Sequence, residues 1–181
     1  IQKEFKKMPK KIKLINCVGG GSSAYGFWSE FIDFDKKQIE LIGVEAGGPS
    51  KSKLHAAPLS KGAKIGILHG AAAYVCQNSD GQINETESIS AGLDYPSCSP
   101  MHCFLKDTKR ARYTFATDEE ALNAYQLVTK YENLNPSLEP SHAFAEAIKI
   151  APKLAKDTII IVNSCGDAHK DKDILKQRLG S

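Results

Sequence analysis

Residues 17–28 read CVGGGSSAYGFW and place three consecutive glycines between an apolar run and a helix-like one. Glycine loses more conformational freedom on folding than any other residue, so a glycine triplet is typical of places where something must approach the main chain closely. The apolar residues 12–18 predict a buried strand, and the segment after the glycines predicts a helix with Ser22 or Ser23 as its N-cap. Strand, glycine loop and helix together predict backbone N–H groups that converge on a phosphate, the alternative being a purely structural tight turn.

The rest of the chain alternates strand and helix patterns. A helix is predicted to begin after Thr117, which stands in capping-box spacing with Glu120, and another is predicted over residues 141–155. Three further apolar runs are typical of strands, at residues 39–45, 112–117 and 158–166. This alternation predicts an α/β fold, a mostly parallel twisted sheet flanked by helices, with its ligand site beyond the carboxyl ends of the strands.

Three segments carry less regular patterns. Residues 46–64 are rich in Gly, Pro, Ser and Lys, which predicts a long surface loop. Residues 65–77 are apolar, and periodicity does not distinguish a strand from a helix there. Residues 84–106 show no clean period, which predicts a loop with short helical turns.

Length and composition bound the class of protein. The chain has 181 residues, of which 41% are hydrophobic and 25% charged, as expected for one globular domain. Six lysines crowd the first thirteen residues, but the net charge is only +3 and aromatic side chains do not interleave, which favours a solvated face over a nucleic-acid-binding surface. No apolar stretch reaches the roughly 20 residues that span a bilayer, and no signal peptide opens the chain. We therefore expect neither nucleic acid nor a membrane as a partner.

The cysteines point to a cellular compartment. Their number is odd, five, and they show no pairing pattern, which predicts a reducing, cytoplasmic location. Cys98, His102 and Cys103 lack the second half of a zinc motif, so a zinc site is not expected.

We predict a single α/β domain over residues 1–181, with a basic lead-in at 1–11 and the phosphate-binding domain at 12–178. The chain begins IQKEF, without an initiator Met, which favours a piece of a longer protein.

Two ligands compete for the predicted phosphate site. No lysine follows the glycine loop, which disfavours a triphosphate site of the P-loop kind. Gly19, Gly21 and Ala24 fit the dinucleotide pattern G-x-G-x-x-A, and Glu45 ends the next strand where such folds keep a ribose-binding acid, so NAD is one alternative. The two serines after the glycines add hydroxyls that suit a terminal phosphate such as that of pyridoxal phosphate.

Six segments in sequence order resemble the carboxyl-terminal half of the tryptophan synthase β-subunit, a fold-type II pyridoxal-phosphate family: CVGGGSSA, LIGVEAGG, HAAPL, DGQINETESISAGLDYPS, SHAFAEAIK and IVNSCGDAHKDKDI. The resemblance covers residues 13–178 and implies the carboxyl-terminal domain of that fold. It also implies a pyridoxal-phosphate-dependent lyase of tryptophan biosynthesis, which makes L-tryptophan from L-serine and indole by β-replacement. The implied partners are a tryptophan synthase α-subunit and a second β-subunit in a homodimer.

The resemblance assigns residues to the cofactor. Five would surround its phosphate: Gly19, Gly20, Gly21, Ser22 and Ser23. The family usually has Asn in place of Ser23. Cys165 stands where the family has a serine that faces the pyridine nitrogen, and a thiol is the weaker hydrogen-bonding group.

The resemblance also assigns residues to the substrates and to an ion. Asp94 resembles an aspartate that contacts the serine substrate, and Glu139 matches a carboxylate close to the cofactor. Leu68 and His69 fall where the family lines an indole tunnel with aromatic residues. Three main-chain carbonyls would correspond to a monovalent-cation site, those of Gly19, Tyr95 and Ser97.

The lysine that holds the cofactor as an imine lies in the amino-terminal half of the family, and no lysine here matches it. The resemblance therefore implies that the isolated chain has no tryptophan synthase activity and binds pyridoxal phosphate weakly or not at all. Two alternatives stay open, an NAD-binding domain and a non-catalytic β-like module that binds a partner subunit.

Overall fold

The structure, a computed structural model, describes residues 9–180, so most of the predicted basic lead-in lies outside the described residues. The strands are β1 (Lys11–Cys17), β2 (Ile39–Ala46), β3 (Lys64–Leu68), β4 (Ala71–Val75), β5 (Ala111–Ala116) and β6 (Thr158–Val162). The helices are α1 (Ser22–Trp28), α2 (Pro100–Asp107), α3 (Asp118–Glu132), α4 (Leu138–Ile150) and α5 (Lys172–Leu179). Short 3₁₀ turns lie at Ser29–Phe31, Ala151–Lys153 and Ala168–Asp171.

Four strands form a parallel sheet in the order β5-β2-β1-β6, which confirms the predicted α/β fold. The two central strands are almost wholly buried, because helices and loops cover both faces, and this explains their continuous apolar sequence. Ile15 of β1 pairs with Val162, the last residue of β6, so β1 extends two residues beyond β6 at the same edge of the sheet. The glycine loop after β1 and residues 163–166 after β6 therefore meet at one edge of the sheet.

The apolar segment at residues 65–77 contributes an antiparallel hairpin, β3–β4, outside the main sheet. His69 and Gly70 connect its strands with φ values of 50° and 77°, and two positive φ values in succession are typical of tight hairpin turns. Ile65 and Ile67 of β3 are 66% and 73% exposed. The exposed face of the hairpin is also apolar. The segment therefore lacks the alternation of apolar and polar residues that identifies a half-buried strand.

Helix α1 begins one residue earlier than a serine cap requires. Its N-cap is Gly21, and no side chain caps the helix, so the prediction of Ser22 or Ser23 as N-cap is wrong. Ser22 itself already has helical geometry, because Gly21 turns the chain at a φ of 97°. At the other end of α1, the chain's single tryptophan, Trp28, is fully buried in the core. Its ring lies edge-on to that of His102, with ring centroids 5.7 Å apart.

The predicted capping box of α3 is confirmed. The N–H of Glu120 donates to the hydroxyl of Thr117 at 3.3 Å, and the carboxylate of Glu120 accepts from the N–H of Thr117 at 3.0 Å. Such reciprocal bonds satisfy two backbone donors that a helix start leaves free.

No helix within residues 9–180 is both long enough and apolar enough to cross a membrane.

Two expectations for the irregular segments are corrected. Residues 46–64 are not wholly a surface loop, because Ala56, Ala57 and Leu59 are buried against the sheet. Residues 84–106 do not end in a loop, because α2 begins at Pro100 and makes two regular turns. Proline is favoured in the first turn of a helix, where its missing N–H has no partner to lose.

Candidate functional site

A cleft of about 280 Å³ opens at the carboxyl edge of the parallel sheet, between the end of β1 and the end of β6. All six residues that the sequence assigns to the cofactor line it. The lining residues are Cys17, Gly19, Gly20, Gly21, Ser22, Ser23, Gly92, Leu93, Glu139, Cys165, Gly166 and Lys170. Other clefts of comparable size lie elsewhere on the described surface, but this one gathers residues from both strand ends.

The glycine loop presents unused main-chain donors to this cleft. Within the described residues, none of the five N–H groups from Gly19 to Ser23 donates to a backbone carbonyl. Two carbonyl groups of the loop do accept hydrogen bonds from the protein. The N–H of Ser99 donates to the carbonyl of Gly20 at 3.0 Å, and Nε2 of His102 to that of Gly21 at 2.7 Å. The loop therefore points its donors away from the protein core, as an anion-binding loop requires.

The space around the loop agrees with this interpretation. A Cβ atom added at Gly20 meets nothing within 4 Å, whereas one at Gly19 comes within 2.7 Å of the carbonyl oxygen of Gly92. At Gly21 an added Cβ comes within 2.1 Å of the ring of His102. The loop is bare where it faces open space and tightly packed where it faces the protein, so the cleft has room for a phosphate group beside the main chain.

The two serines differ in how far they are fixed. The hydroxyl oxygen of Ser23 accepts from the side-chain amides of Asn16 and Asn163, both at 3.3 Å. Its own hydrogen can be donated once, and Cys165 lies within reach as an acceptor. Ser22 is exposed. Both hydroxyls are thus available as donors at the loop.

Glu139, in the first turn of α4, is held as a carboxylate inside the cleft. Its Oε1 accepts from the N–H of Gly92 at 3.0 Å, and its Oε2 accepts from Nζ of Lys170 at 2.7 Å. Burial would raise the pKa of Glu139, but hydrogen bonds from Lys170 and Ser137 outweigh it and lower the pKa to about 2. Lys170 also contacts Asp171 at 2.8 Å, and although burial opposes its charge, these two carboxylates raise its pKa. The pair is therefore ionised at neutral pH.

Two thiols form the floor of the cleft. Sγ of Cys17, the last residue of β1, lies 3.5 Å from Sγ of Cys165. A hydrogen bond donated by Cys17 lowers the pKa of Cys165 to about 6, although burial opposes this. The same hydrogen bond, together with burial, raises the pKa of Cys17 well above its usual value. These shifts favour the thiolate at Cys165 and the thiol at Cys17.

The other assigned residues lie outside the cleft lining. Asp94 is exposed, and the loop that carries it leads away from Leu93, which does line the cleft. His69, at the tip of the hairpin, stacks on Tyr95 with ring centroids 5.8 Å apart, and its Nδ1 shares a hydrogen bond with the tyrosine hydroxyl at 2.9 Å. Leu68 precedes it in β3. Asp94, Leu68 and His69 therefore do not line the cleft, and His69 contacts Tyr95, the chain neighbour of Asp94.

Some of the residues considered for ions make protein contacts through their side chains. Of the three carbonyl residues, Ser97 is buried, and its hydroxyl donates to the carbonyl of Tyr74 at 3.0 Å. His102 accepts from or donates to the hydroxyl of Tyr113 through Nδ1 at 2.7 Å, and its Nε2 is used by Gly21. Within residues 9–180, no group of three or more His, Cys, Asp or Glu side chains is arranged to hold a metal ion.

Glu45 does not fit the dinucleotide alternative. Its carboxylate is buried and already accepts from the N–H of Leu59 at 3.0 Å and from the N–H and hydroxyl of Ser60, both at 2.6 Å. Burial raises its pKa to about 7 despite these bonds. A carboxylate whose acceptors are occupied inside the protein cannot also receive a ribose hydroxyl, so the ribose-binding role weighed from the sequence is not supported.

Two lining residues that matter to the charge of the cleft had weak sequence signals. Lys170 comes from the run GDAHKDKD, where it resembles an ordinary surface lysine, and only the 3₁₀ turn Ala168–Asp171 brings it to Glu139. Gly92 supplies a backbone N–H, which no sequence pattern marks.

The fold and the cleft define an α/β protein with a glycine loop at the carboxyl edge of a parallel sheet. The solved structure of a threonine deaminase from T.th. has the same fold, with a TM-score of 0.59 over 92% of this chain and 52% of that chain at 16% identity. No model of a protein family matches the chain.

Sequence comparison supplies the family. The chain is 48% identical to the tryptophan synthase beta chain of Chromobacterium violaceum over 159 residues, which are 87% of this chain and 39% of the relative. It is also 48% identical to that of Bordetella petrii over 168 residues, 92% of this chain and 41% of the relative. Over the matched residues the chain is similar to tryptophan synthase beta chains, which confirms the resemblance drawn from the motifs. It spans about two fifths of the length of these curated relatives.

Proposed function

We propose that the protein containing this chain is a pyridoxal-phosphate-dependent lyase that makes L-tryptophan from L-serine and indole. The observation that carries the proposal is the glycine loop, whose five residues line a cleft and whose main-chain N–H groups have no backbone acceptor, in a chain 48% identical to tryptophan synthase beta chains. The bound cofactor would supply an electron sink for chemistry at the substrate's α and β carbons.

The residues of this chain would bind and orient the cofactor. The N–H groups of residues 19–23 and the hydroxyls of Ser22 and Ser23 would hold the phosphate, since oriented donors stabilise a dianion without reorganisation. Cys165, on the opposite wall, would face the ring nitrogen. A thiolate there is a hydrogen-bond acceptor, so it would favour a protonated nitrogen.

The ion pair of Glu139 and Lys170 would set the charge of the cleft beside the cofactor. Because Glu139 stays ionised, it acts as a fixed acceptor rather than a proton carrier at neutral pH. We propose that Asp94 contacts the hydroxyl of the serine substrate, and that Leu68 and His69 border the path of indole. Carbonyls of Gly19, Tyr95 and Ser97 would hold a monovalent cation.

The remaining parts of the proposal concern the whole protein. We propose that the lysine that forms a covalent bond with the cofactor lies outside residues 1–181, so the isolated chain is a single domain without tryptophan synthase activity. We further propose a cytoplasmic enzyme with a tryptophan synthase α-subunit and a second copy of itself as partners.

The test uses the full-length protein, as its gene encodes it, and pyridoxal phosphate followed by absorbance. We expect a band from cofactor bound to a lysine, a spectral change when L-serine is added, and L-tryptophan formation when indole follows. Borohydride reduction fixes the lysine to the cofactor, and peptide mapping should place the label outside this chain. A label on Lys170 would contradict the proposal that the cofactor-binding lysine lies outside this chain. Binding of NAD without binding of pyridoxal phosphate would overturn the proposed function entirely.

A further inference from the structure

The two thiols on the cleft floor are placed for a covalent bond with each other. Cys17 ends β1, and Cys165 lies three residues beyond the end of the neighbouring strand β6. Their sulfur atoms are 3.5 Å apart, against about 2.0 Å in a disulfide, so a shift of about 1.5 Å would join them. Cys165 lies outside regular structure, and its main-chain carbonyl accepts from the hydroxyl of Ser137 at 3.1 Å.

The pair is chemically asymmetric, as thiol–disulfide exchange requires. Cys165 is partly exposed in the cleft, whereas Cys17 is 5% exposed and its Sγ lies within hydrogen-bond distance of that of Cys165. The hydrogen bond from Cys17 lowers the pKa of Cys165, and one from Ser23 adds to this. The charged groups that face the pair are Glu139, which opposes the thiolate, and Lys170, which neutralises Glu139 at 2.7 Å. The thiolate is the nucleophile in exchange, so Cys165 is the attacking group and Cys17 the resolving one.

We propose that Cys165 and Cys17 form a thiol–disulfide exchange site for low-molecular-weight disulfides such as oxidised glutathione. In the first step the Cys165 thiolate attacks one sulfur of the small disulfide, forming a mixed disulfide and releasing one glutathione thiolate. In the second step Cys17 loses its proton to solvent and attacks the Cys165 sulfur, releasing the second glutathione thiolate. Two protein thiols are thus oxidised to one disulfide, and one glutathione disulfide is reduced to two thiols.

The same chain contains a matched control. Cys98 and Cys103 also have sulfur atoms 3.5 Å apart, but Cys98 is buried in the core beside α2. Burial raises the pKa of Cys98, and this pair does not line the cleft. If the distance between the sulfur atoms alone decided, both pairs would form a disulfide. If the difference between the two thiols of the cleft pair decides, only Cys17 and Cys165 would do so.

The first experiment incubates the full-length protein with oxidised glutathione and maps its peptides without reduction. We expect a Cys17–Cys165 cross-link that dithiothreitol reverses, while Cys98 and Cys103 stay reduced. Recovery of Cys17 and Cys165 as free thiols would overturn the proposal, and so would equal cross-linking at both pairs. The wild-type protein suffices for this measurement, so no variant needs to fold.

Two variants then test the asymmetry. C17S keeps a hydroxyl donor at the position of the thiol but cannot resolve, so a glutathione adduct should accumulate at Cys165 with a rate that is half-maximal near pH 6. C17A removes the donor, so the midpoint should rise by about one pH unit or more, toward the ordinary value for cysteine. An identical midpoint in the two variants would contradict the role given to Cys17. Exchange needs no cofactor, so a protein that fails to bind pyridoxal phosphate but forms the cross-link refutes only the proposed function.

Discussion

Among the glycines at positive φ, those in the cleft loop and in the hairpin turn have opposite surroundings. Gly21 in the cleft loop has a φ of 97°, and an added Cβ there would lie 2.1 Å from the ring of His102. Gly70 in the hairpin turn has a φ of 77°, and an added Cβ would meet nothing within 4 Å. The first glycine is required by both backbone conformation and packing, the second by conformation alone. At Gly21 the conformation is thus enforced by packing against a distant residue, whereas at Gly70 no packing contact adds to the conformational requirement.

Gly21→Ala gives the largest expected effect. Left-handed backbone costs a non-glycine residue about 1–2 kcal/mol, and overpacking costs about 1–3 kcal/mol more, because the His102 ring is held by Tyr113 and cannot retreat freely. We expect the free energy of unfolding to fall by about 3 kcal/mol, measured by urea denaturation of the full-length protein. A loss no larger than that of Gly70→Ala would show that the ring yields and would remove the distinction between the two turns.

Acid should weaken the cleft more than the hairpin. The pKa of Glu139 is lowered to about 2 in the folded protein, so its bonds to Lys170 and Gly92 stabilise the fold above the unfolded pKa of about 4.3. This stability is lost as the pH falls from about 4.3 toward 2, and we expect about 2 kcal/mol, allowing for solvent screening at the partly exposed lysine.

The control for this pH dependence is Glu139→Gln, which keeps an acceptor for Gly92 but cannot titrate. Its unfolding free energy should vary less between pH 5 and pH 2 than that of the wild type. Equal slopes for the two proteins would assign the acid sensitivity to other carboxylates.

Gly70→Ala should cost less, about 1 kcal/mol. Only the left-handed strain applies there, and the reduced freedom of the unfolded chain offsets part of it. Urea denaturation compared directly with Gly21→Ala measures the packing contribution at the cleft loop by difference. A loss above about 3 kcal/mol would mean that the open side of the hairpin is covered in the full-length protein.

Gly20→Ala should leave stability almost unchanged, within about 0.5 kcal/mol, because the site is exposed and an added Cβ meets nothing within 4 Å. The same methyl group would stand beside N–H groups that we propose hold a phosphate. We therefore expect weaker binding of pyridoxal phosphate by at least several-fold, followed by absorbance titration. Unchanged affinity would argue against the loop as the phosphate site and leave its glycines with a structural role alone.

Sequence patterns predicted the regular parts of this fold well. The parallel strands were marked by continuous apolar runs, and α3 by the reciprocal cap of Thr117 and Glu120. The hairpin was not predicted, because an exposed apolar strand shows no alternation of apolar and polar residues. The pair His69–Gly70 inside it was an available turn signal.

The site was predictable only in part. The glycine loop is local, so its sequence revealed it, whereas Lys170 reaches Glu139 through tertiary structure across 31 positions. Glu45 was misjudged for the opposite reason. Its position after a strand suggested a ligand contact, but the loop residues Leu59 and Ser60 fold back and use its oxygens. The contact between Cys17 and Cys165 could be anticipated only after the register of β1 and β6 was known.

The burial of Trp28 has an optical consequence. Its indole ring lies 5.7 Å from the His102 ring, and His102 in turn donates to the main chain of the glycine loop. Burial lowers the pKa of His102, so at neutral pH the imidazole is uncharged and does not quench the indole as a cation would. The fluorescence of this one tryptophan therefore reports from inside the core on the state of the loop, two contacts away from whatever occupies the cleft.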